Sequence, residues 1–322
     1  MSILDQDETR RRISEKLMYE LGPVYELLQD PRVTDIMLNP DGQLWVERLG
    51  EEKELCGRME SIKVFGLMNT IASELNVEHT AKNPILECEL PLDGSRFSGM
   101  LPPIVEGPSF SIRKRALLVF SLQDYCDEGI MTQAQREFIE QAVRARKNIL
   151  IAGGTGSGKT TLTNAVVQYI VEASPNHRVF VIEDTRELQC AALNKKMMKT
   201  APNVSMTDLL NASMRHFPDR FVIGEVRDGF ALLTLLKTWM TGHPGGAATI
   251  HANNAQDTLV KIELLLKEAV LGDVRSLVAA AINVVVFIEK CCGVGRKVTE
   301  ILQVDGHDGQ NYQTQLIGEN NV

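Results

Sequence analysis

The chain changes its hydrophobic rhythm near residue 120. Before that point, helical and strand-like stretches are mixed. Residues 9–21, TRRRISEKLMYEL, space Ile13, Leu17 and Leu21 four apart, which predicts a helix that Gly22-Pro23 closes. Residues 33–50, VTDIMLNPDGQLWVERLG, alternate on either side of NPDG and predict two strands joined by a turn. Residues 61–75, SIKVFGLMNTIASEL, carry Ile62, Phe65, Met68, Ala72 and Leu75 as a helical stripe. From Glu87 to Arg115 the text is strand-like and broken by Pro and Gly. This half reads as α+β, with a domain over 1–118 and a linker over 119–130.

After the linker, helices and short apolar strands alternate. Helical TQAQREFIEQAVRARKN (132–148) precedes the apolar run ILIAG (149–153), a glycine loop and helical TTLTNAVVQYIVEA. RVFVIED (178–184) and RFVIGE (220–225) are further apolar strands that end in carboxylates. AATI (247–250) reads as one more short buried strand, between His243 and His251. Such alternation predicts a parallel sheet covered by helices over 131–322, an α/β domain. In that architecture ligands sit at the carboxyl ends of the strands. VAAAINVVVFI (278–288), the most apolar run, is interrupted by Asn283 and falls short of the ~20 residues of a spanning helix. It reads as a helix end followed by a buried strand. The start has no apolar core of a signal peptide, and the polar end QTQLIGENNV is expected to fray.

Composition adds bounds. At 322 residues, 44% of them hydrophobic and 24% charged, the chain has material for two packed domains. Its net charge of −8 counts against wrapping a nucleic acid, which needs a basic face. The six cysteines (56, 88, 126, 190, 291 and 292) form no C-x-x-C pair and read as reduced thiols rather than zinc ligands.

The glycine loop carries the first chemistry. GGTGSGKT, Gly153 to Thr160, matches G-x-x-x-x-G-K-[ST] between a predicted strand and a predicted helix. Glycines let successive N–H groups turn inward on phosphate oxygens, and the helix N-terminus adds its positive end. Gly153, Gly154, Thr155, Gly156, Ser157, Gly158, Lys159, Thr160 and Thr161 are therefore expected to bind ATP. Lys159 would reach the β- and γ-phosphates, and the Thr160 hydroxyl would ligate Mg2+. Hydrolysis also needs carboxylates. Glu183 and Asp184 follow one strand; Glu225 and Asp228 follow another. Glu183 and Glu225 are the candidates, the first to orient water and the second to hold the metal through its water shell, with the roles exchangeable. Asp184 has the alternative reading of a helix cap. A standard second nucleotide motif ends in Asp; here Gly224 stands in that place, which points to a specialised branch of P-loop enzymes. His251, at the end of AATI, is expected beside the γ-phosphate. His243, at the start of the strand and far from the nucleotide, is expected to make a subunit-facing or loop-stabilising hydrogen bond.

Four ordered stretches, GGTGSGKTT, VIEDTREL, RHFPDRFVIGEVRD and TGHPGGAATIHAN, resemble the Walker A motif, aspartate box, atypical Walker B motif and histidine box of the secretion or traffic ATPases. LLQDPRVTDIMLNPDGQLWVER resembles the amino-terminal domain of their type IV secretion and conjugation branch. The resemblance spans most of the chain and implies a RecA-like P-loop ATPase domain with a smaller α+β amino-terminal domain. It further implies a ring homohexamer, nucleotide between the domains, and arginines of the first domain completing the site. The matching positions are Arg96, Arg113 and, as a third, Arg115. The implied role is a cytoplasmic ATP-driven motor, with at most peripheral membrane contact, serving an inner-membrane secretion, mating-pore or pilus machine. A RecA-like nucleic-acid-dependent NTPase and a nucleotide-gated scaffold are the alternatives. The chain lacks the four-cysteine insertion usual in type II secretion ATPases.

Overall fold

The computed structural model describes residues 12, 14–115, 119–291 and 293–318. Cys292, the first residues of the 9–21 helix and the last four of the polar end lie outside them. The chain forms two compact units, Met1–Leu118 and Val119–Val322.

In the first unit six strands make one antiparallel sheet in the order β3-β2-β1-β6-β5-β4. They are β1 (Val33–Leu38), β2 (Gln43–Arg48), β3 (Glu54–Arg58), β4 (Ile85–Glu89), β5 (Arg96–Met100) and β6 (Ser109–Arg113). Helix α1 (14–21), α2 (Pro23–Gln29) and α3 (Ser61–Glu74) accompany them. Leu17, Leu21, Ile36, Val46, Leu67, Phe97 and Ile112 share one core. Two expectations change. Gly22-Pro23 ends α1 but also opens α2, because proline at N1 lacks only an N–H that the first turn leaves unpaired anyway. The buried face of α3 is Val64, Leu67, Met68, Ile71 and Ala72, while Ile62 stays 75% exposed. The helix is apolar on more than one side, so periodicity alone offered two stripes, and packing selected the one rotated from the expected face.

In the second unit eight strands follow the order β14-β13-β12-β7-β11-β10-β8-β9. They are β7 (Ile149–Ala152), β8 (Val179–Glu183), β9 (Lys195–Lys199), β10 (Arg220–Ile223), β11 (Ala247–Ile250), β12 (Val284–Cys291), β13 (Gly295–His307) and β14 (Tyr312–Leu316). The run from β12 to β9 is parallel, and β13 and β14 extend it antiparallel. Helices cover both faces. Ile149 and Ile151 point to a core with α5 (Gln133–Arg144) and α6 (Lys159–Ala173). Leu150 and Ala152 point to a core with α7 (Met206–Ser213), α8 (Gly229–Met240) and α9 (Ala255–Leu266). The side-chain period of two explains why these central strands read as unbroken apolar runs: both faces are buried. The stretch expected as a linker holds a further helix, α4 (Leu122–Asp127), capped by Ser121, with Leu122 and Tyr125 in the second unit's core. It is too short for a periodic signal. Among the described residues no helix is long and apolar enough to cross a membrane.

Candidate functional site at the strand ends

Strand order brings the chemistry together. β7, β11, β10 and β8 are successive neighbours, so their carboxyl ends lie side by side. β7 runs into the glycine loop, residues 153–158, and α6 opens with Lys159, Thr160 and Thr161 behind the N-cap Gly158. β11 delivers His251, β10 delivers Gly224 and Glu225, and β8 ends on Glu183.

Lys159 is buried, and its ammonium donates to the carbonyls of Gly153 (3.0 Å) and Gly154 (2.7 Å). It also stands 3.2 Å from His251 Nδ1. An ammonium can only donate, so Nδ1 accepts and the ring proton sits on Nε2. That nitrogen faces Glu225 Oε1 at 2.7 Å. Glu225 Oε2 accepts from Arg227 Nε (2.8 Å) and a terminal Arg227 nitrogen (2.5 Å). Arg227 reaches Asp184 Oδ2 at 3.6 Å. A continuous polar chain thus runs from the glycine loop through His251 and Glu225 to the loop after β8. Burial and the charge of Lys159 hold the His251 pKa below its ordinary 6.5, against the pull of Glu225. The neutral ring fits its role as acceptor from a cation.

Glu183 takes a different part. It is 2% exposed, and its Oε1 accepts from the backbone N–H of Glu187 (3.0 Å) and Leu188 (2.7 Å). It fastens the loop after β8. The place of Gly224 follows from this: a Cβ there would stand 2.9 Å from Glu183 Cγ. The glycine makes room for the neighbouring carboxylate. Thr160 Oγ1 donates to Glu187 Oε2 at 3.2 Å. The remaining two acids divide the cap expectation between them. Asp228 caps α8, accepting from Phe230 and Ala231, whereas Asp184 caps nothing and accepts from Thr200 Oγ1 at 3.0 Å.

His243 lies at the opposite edge. It is in the loop ahead of β11, four residues before the strand begins, because Pro244, Gly245 and Gly246 intervene. Its Nδ1 is 2.8 Å from the Pro218 carbonyl, and its ring meets Phe221 edge-on. This is the loop-stabilising bond expected of it. Buried Arg220 donates to Gly245 O (2.8 Å), Val143 O and Ser174 Oγ, and Asn148 Oδ1 accepts from Gly245 N (2.7 Å). A Cβ on Gly246 would fall 2.2 Å from Phe221 O. The two histidines of the stretch therefore serve two ends of one sheet.

In the first unit Arg96 and Arg113 are register partners on β5 and β6, so their side chains leave one face side by side. Arg113 Nε donates to Asp35 Oδ1 at 2.8 Å, which offsets part of the repulsion between the guanidinium pair. Sequence reasoning passed over Glu187, Arg227 and Arg220. Arg227 had a signal, since it lies two residues beyond Glu225; Glu187 lies in the quoted VIEDTREL and gave none by spacing.

A parallel sheet with helices on both faces and a phosphate loop after a central strand defines the class: a RecA-like P-loop ATPase. The model of the family described as "Type II/IV secretion system protein" matches residues 18–319. The conjugal transfer protein TrbB of Rhizobium radiobacter is 44% identical over 313 residues, covering 97% of this chain and 96% of that protein. The type IV secretion system protein VirB11 of Bartonella quintana is 30% identical, covering 88% of this chain and 92% of its own length. Among solved structures, the Legionella pneumophila ATPase DotB shares the fold, with a TM-score of 0.63 at 16% identity, over 86% of this chain and 78% of that one. The chain belongs to the type II/IV secretion system protein family, in the company of its conjugal-transfer and type IV secretion members, and it is an ATPase.

Proposed function

We propose that this ATPase is the hexameric motor of a conjugative DNA-transfer or type IV secretion machine, acting on the cytoplasmic side of the inner membrane. The observation that carries the chemistry is the chain from Lys159 through His251 to Glu225 at the mouth of the phosphate loop. ATP binds along Gly153–Thr161, with Lys159 meeting the β- and γ-phosphates. Mg2+ accompanies it, with Thr160 and phosphate oxygens as the donors expected beside water, and Glu225 within reach of that water shell. When bound, the ion neutralises charge developing on the phosphates.

Glu225 and His251 act together on the attacking water and the γ-phosphate: neutral His251 donates from Nε2, and Glu225 accepts. Glu183 works by fixing the loop after β8. The family resemblance assigns Arg96 and Arg113 of the first domain, residues 1–118, to the phosphates of the nucleotide. Permanently charged, planar guanidinium groups suit phosphate recognition, and their placement on a separate domain would couple closure to the γ-phosphate. The conjugal-transfer relatives favour a mating-pore machine over a pilus motor as the partner, and the net charge of −8 disfavours a nucleic-acid motor. The test is steady-state phosphate release with particle sizing, with and without ATP. Wild type is expected to turn over ATP and run as a sixfold particle. Lys159→Ala should fold and lose turnover; wild-type turnover in that variant would end the assignment.

A further inference from the structure

The groups already assigned to hydrolysis lie on one side of the phosphate loop. β11 and β10, which lead to His251 and Glu225, follow β7 on that side of the sheet, and β12 stands beside β7 on the other. β12 pairs with β7 as far as Phe287 and Ala152, then runs on to Cys291 before the chain turns back into β13. The overhang makes a wall against the loop. A Cβ on Gly153 would fall 2.2 Å from Ile288 O. One on Gly158 would fall 3.0 Å from Arg296 Cδ and 3.6 Å from Ile288 Cδ1.

Arg296 opens β13 opposite Lys290 and leans over the loop, where its Nε donates to Gly156 O at 3.4 Å. In a phosphate loop the N–H groups turn inward on the anion, so the carbonyl groups turn outward. A guanidinium bonded to such a carbonyl stands outside the phosphate cradle. Among the described residues its terminal nitrogens have no hydrogen-bond partner, and no carboxylate pairs with it. That leaves its plane open to a ligand. The direction of a bound triphosphate follows from the other side of the loop. Lys159, His251 and Glu225 draw the γ-phosphate toward β11 and β10. The nucleoside end of the molecule therefore lies toward β12 and β13, where Arg296 is.

We propose that Arg296 is a nucleoside-binding residue of this ATPase: its guanidinium lies flat against the purine of ATP and holds the end of the nucleotide remote from hydrolysis. The proposal rests on the ATP reading of the phosphate loop. A planar, delocalised cation stacks on an aromatic ring, and the point charge of lysine does so less well. The contact reads the face of the base and not its edge, so it separates a nucleotide from a base-free polyphosphate. Gly158 then serves twice: its φ of 99° curls the loop, and its missing side chain lets the Arg296 stem pass.

The test measures affinity, not turnover. Calorimetric titration of the full-length protein in Mg2+ compares ATP with inorganic tripolyphosphate, which has the phosphates and no base. Wild type should bind ATP the more tightly. Arg296→Ala should weaken ATP by about tenfold and leave tripolyphosphate as it was. Arg296→Lys keeps the charge and most of the stem but not the plane, and should lose most of the same factor. Equal weakening of both ligands in Arg296→Ala overturns the proposal, since Arg296 would then act on the phosphates or on the loop itself. Unchanged ATP affinity in Arg296→Ala does so too, and full ATP affinity in Arg296→Lys would show that charge alone suffices and no stacking is made. Wild type that binds neither ligand would instead overturn the ATP reading beneath the proposal.

Discussion

Gly224→Ala is a one-carbon test of the site. The added methyl would stand 2.9 Å from Glu183 Cγ, 3.2 Å from its Cβ and 3.4 Å from Oε1. The backbone at 224 is not left-handed, so the effect is steric alone. Glu183 has two ways to respond. Rotating away surrenders its bonds to the Glu187 and Leu188 amides; at about 1.5–3 kcal/mol for each bond to a charged group, that costs about 3–6 kcal/mol. Staying in place and displacing the backbone costs about 1–3 kcal/mol, the usual range for one extra methyl in a packed interior. The second route wins. For a domain of this size each kcal/mol lowers Tm by about 2–4 °C, so a fall of about 2–12 °C is expected. Turnover should fall further than stability predicts, because the displaced strand end carries Glu225 and presses on the loop that carries Glu187. Gly224→Asp restores the residue of the standard motif, yet it should be worse than alanine, since its carboxylate meets that of Glu183. Thermal unfolding and phosphate release measured on both variants decide the matter. A Gly224→Asp protein with wild-type Tm and turnover would refute the reasoning.

Other outcomes follow from the same geometry. His251 has a pKa held below 6.5, first by burial and then by Lys159, so the unfolded chain takes up its proton first. Its contribution to stability is therefore complete above about pH 6.5 and is lost as pH falls through the lowered folded value. His177, lowered by burial and Arg220, adds a slope of the same sign. His251→Gln should remove only its own share of the acid slope in Tm measured from about pH 5 to 8, and an unchanged slope would exclude the neutral ring. The same variant should bind ADP normally and lose its preference for ATP; retained preference with full activity would reduce His251 to packing. Arg113→Lys should change stability by no more than about 1 kcal/mol, since its Asp35 pair is half-exposed. It should nevertheless slow turnover, and unchanged kinetics would make Arg113 a surface charge.

The phosphate loop was open to reading because its chemistry is local. Backbone curl, lysine and threonine all lie within eight residues between an apolar run and a helix, and that spacing has few other uses. The parallel sheet was equally open, since strands buried on both faces are apolar almost throughout, as ILIA is and as AATI is but for Thr249, whose hydroxyl donates to Gly224 O. Where two faces of an element could each be apolar, the chain alone did not choose, and α3 turned a different side to its core than its spacing suggested. Partners across strands were beyond the sequence altogether. Glu183 and Gly224 stand 41 positions apart, Thr160 and Glu187 stand 27 apart, and only the packed sheet makes them neighbours. Carboxylates at strand ends could be named from the sequence as candidates. Which one faces histidine, which one two amides and which one Thr160 depends on side-chain directions and on who has already taken the space. Those are properties of the packed sheet, decided by steric exclusion and hydrogen-bond supply over distances that no local pattern records.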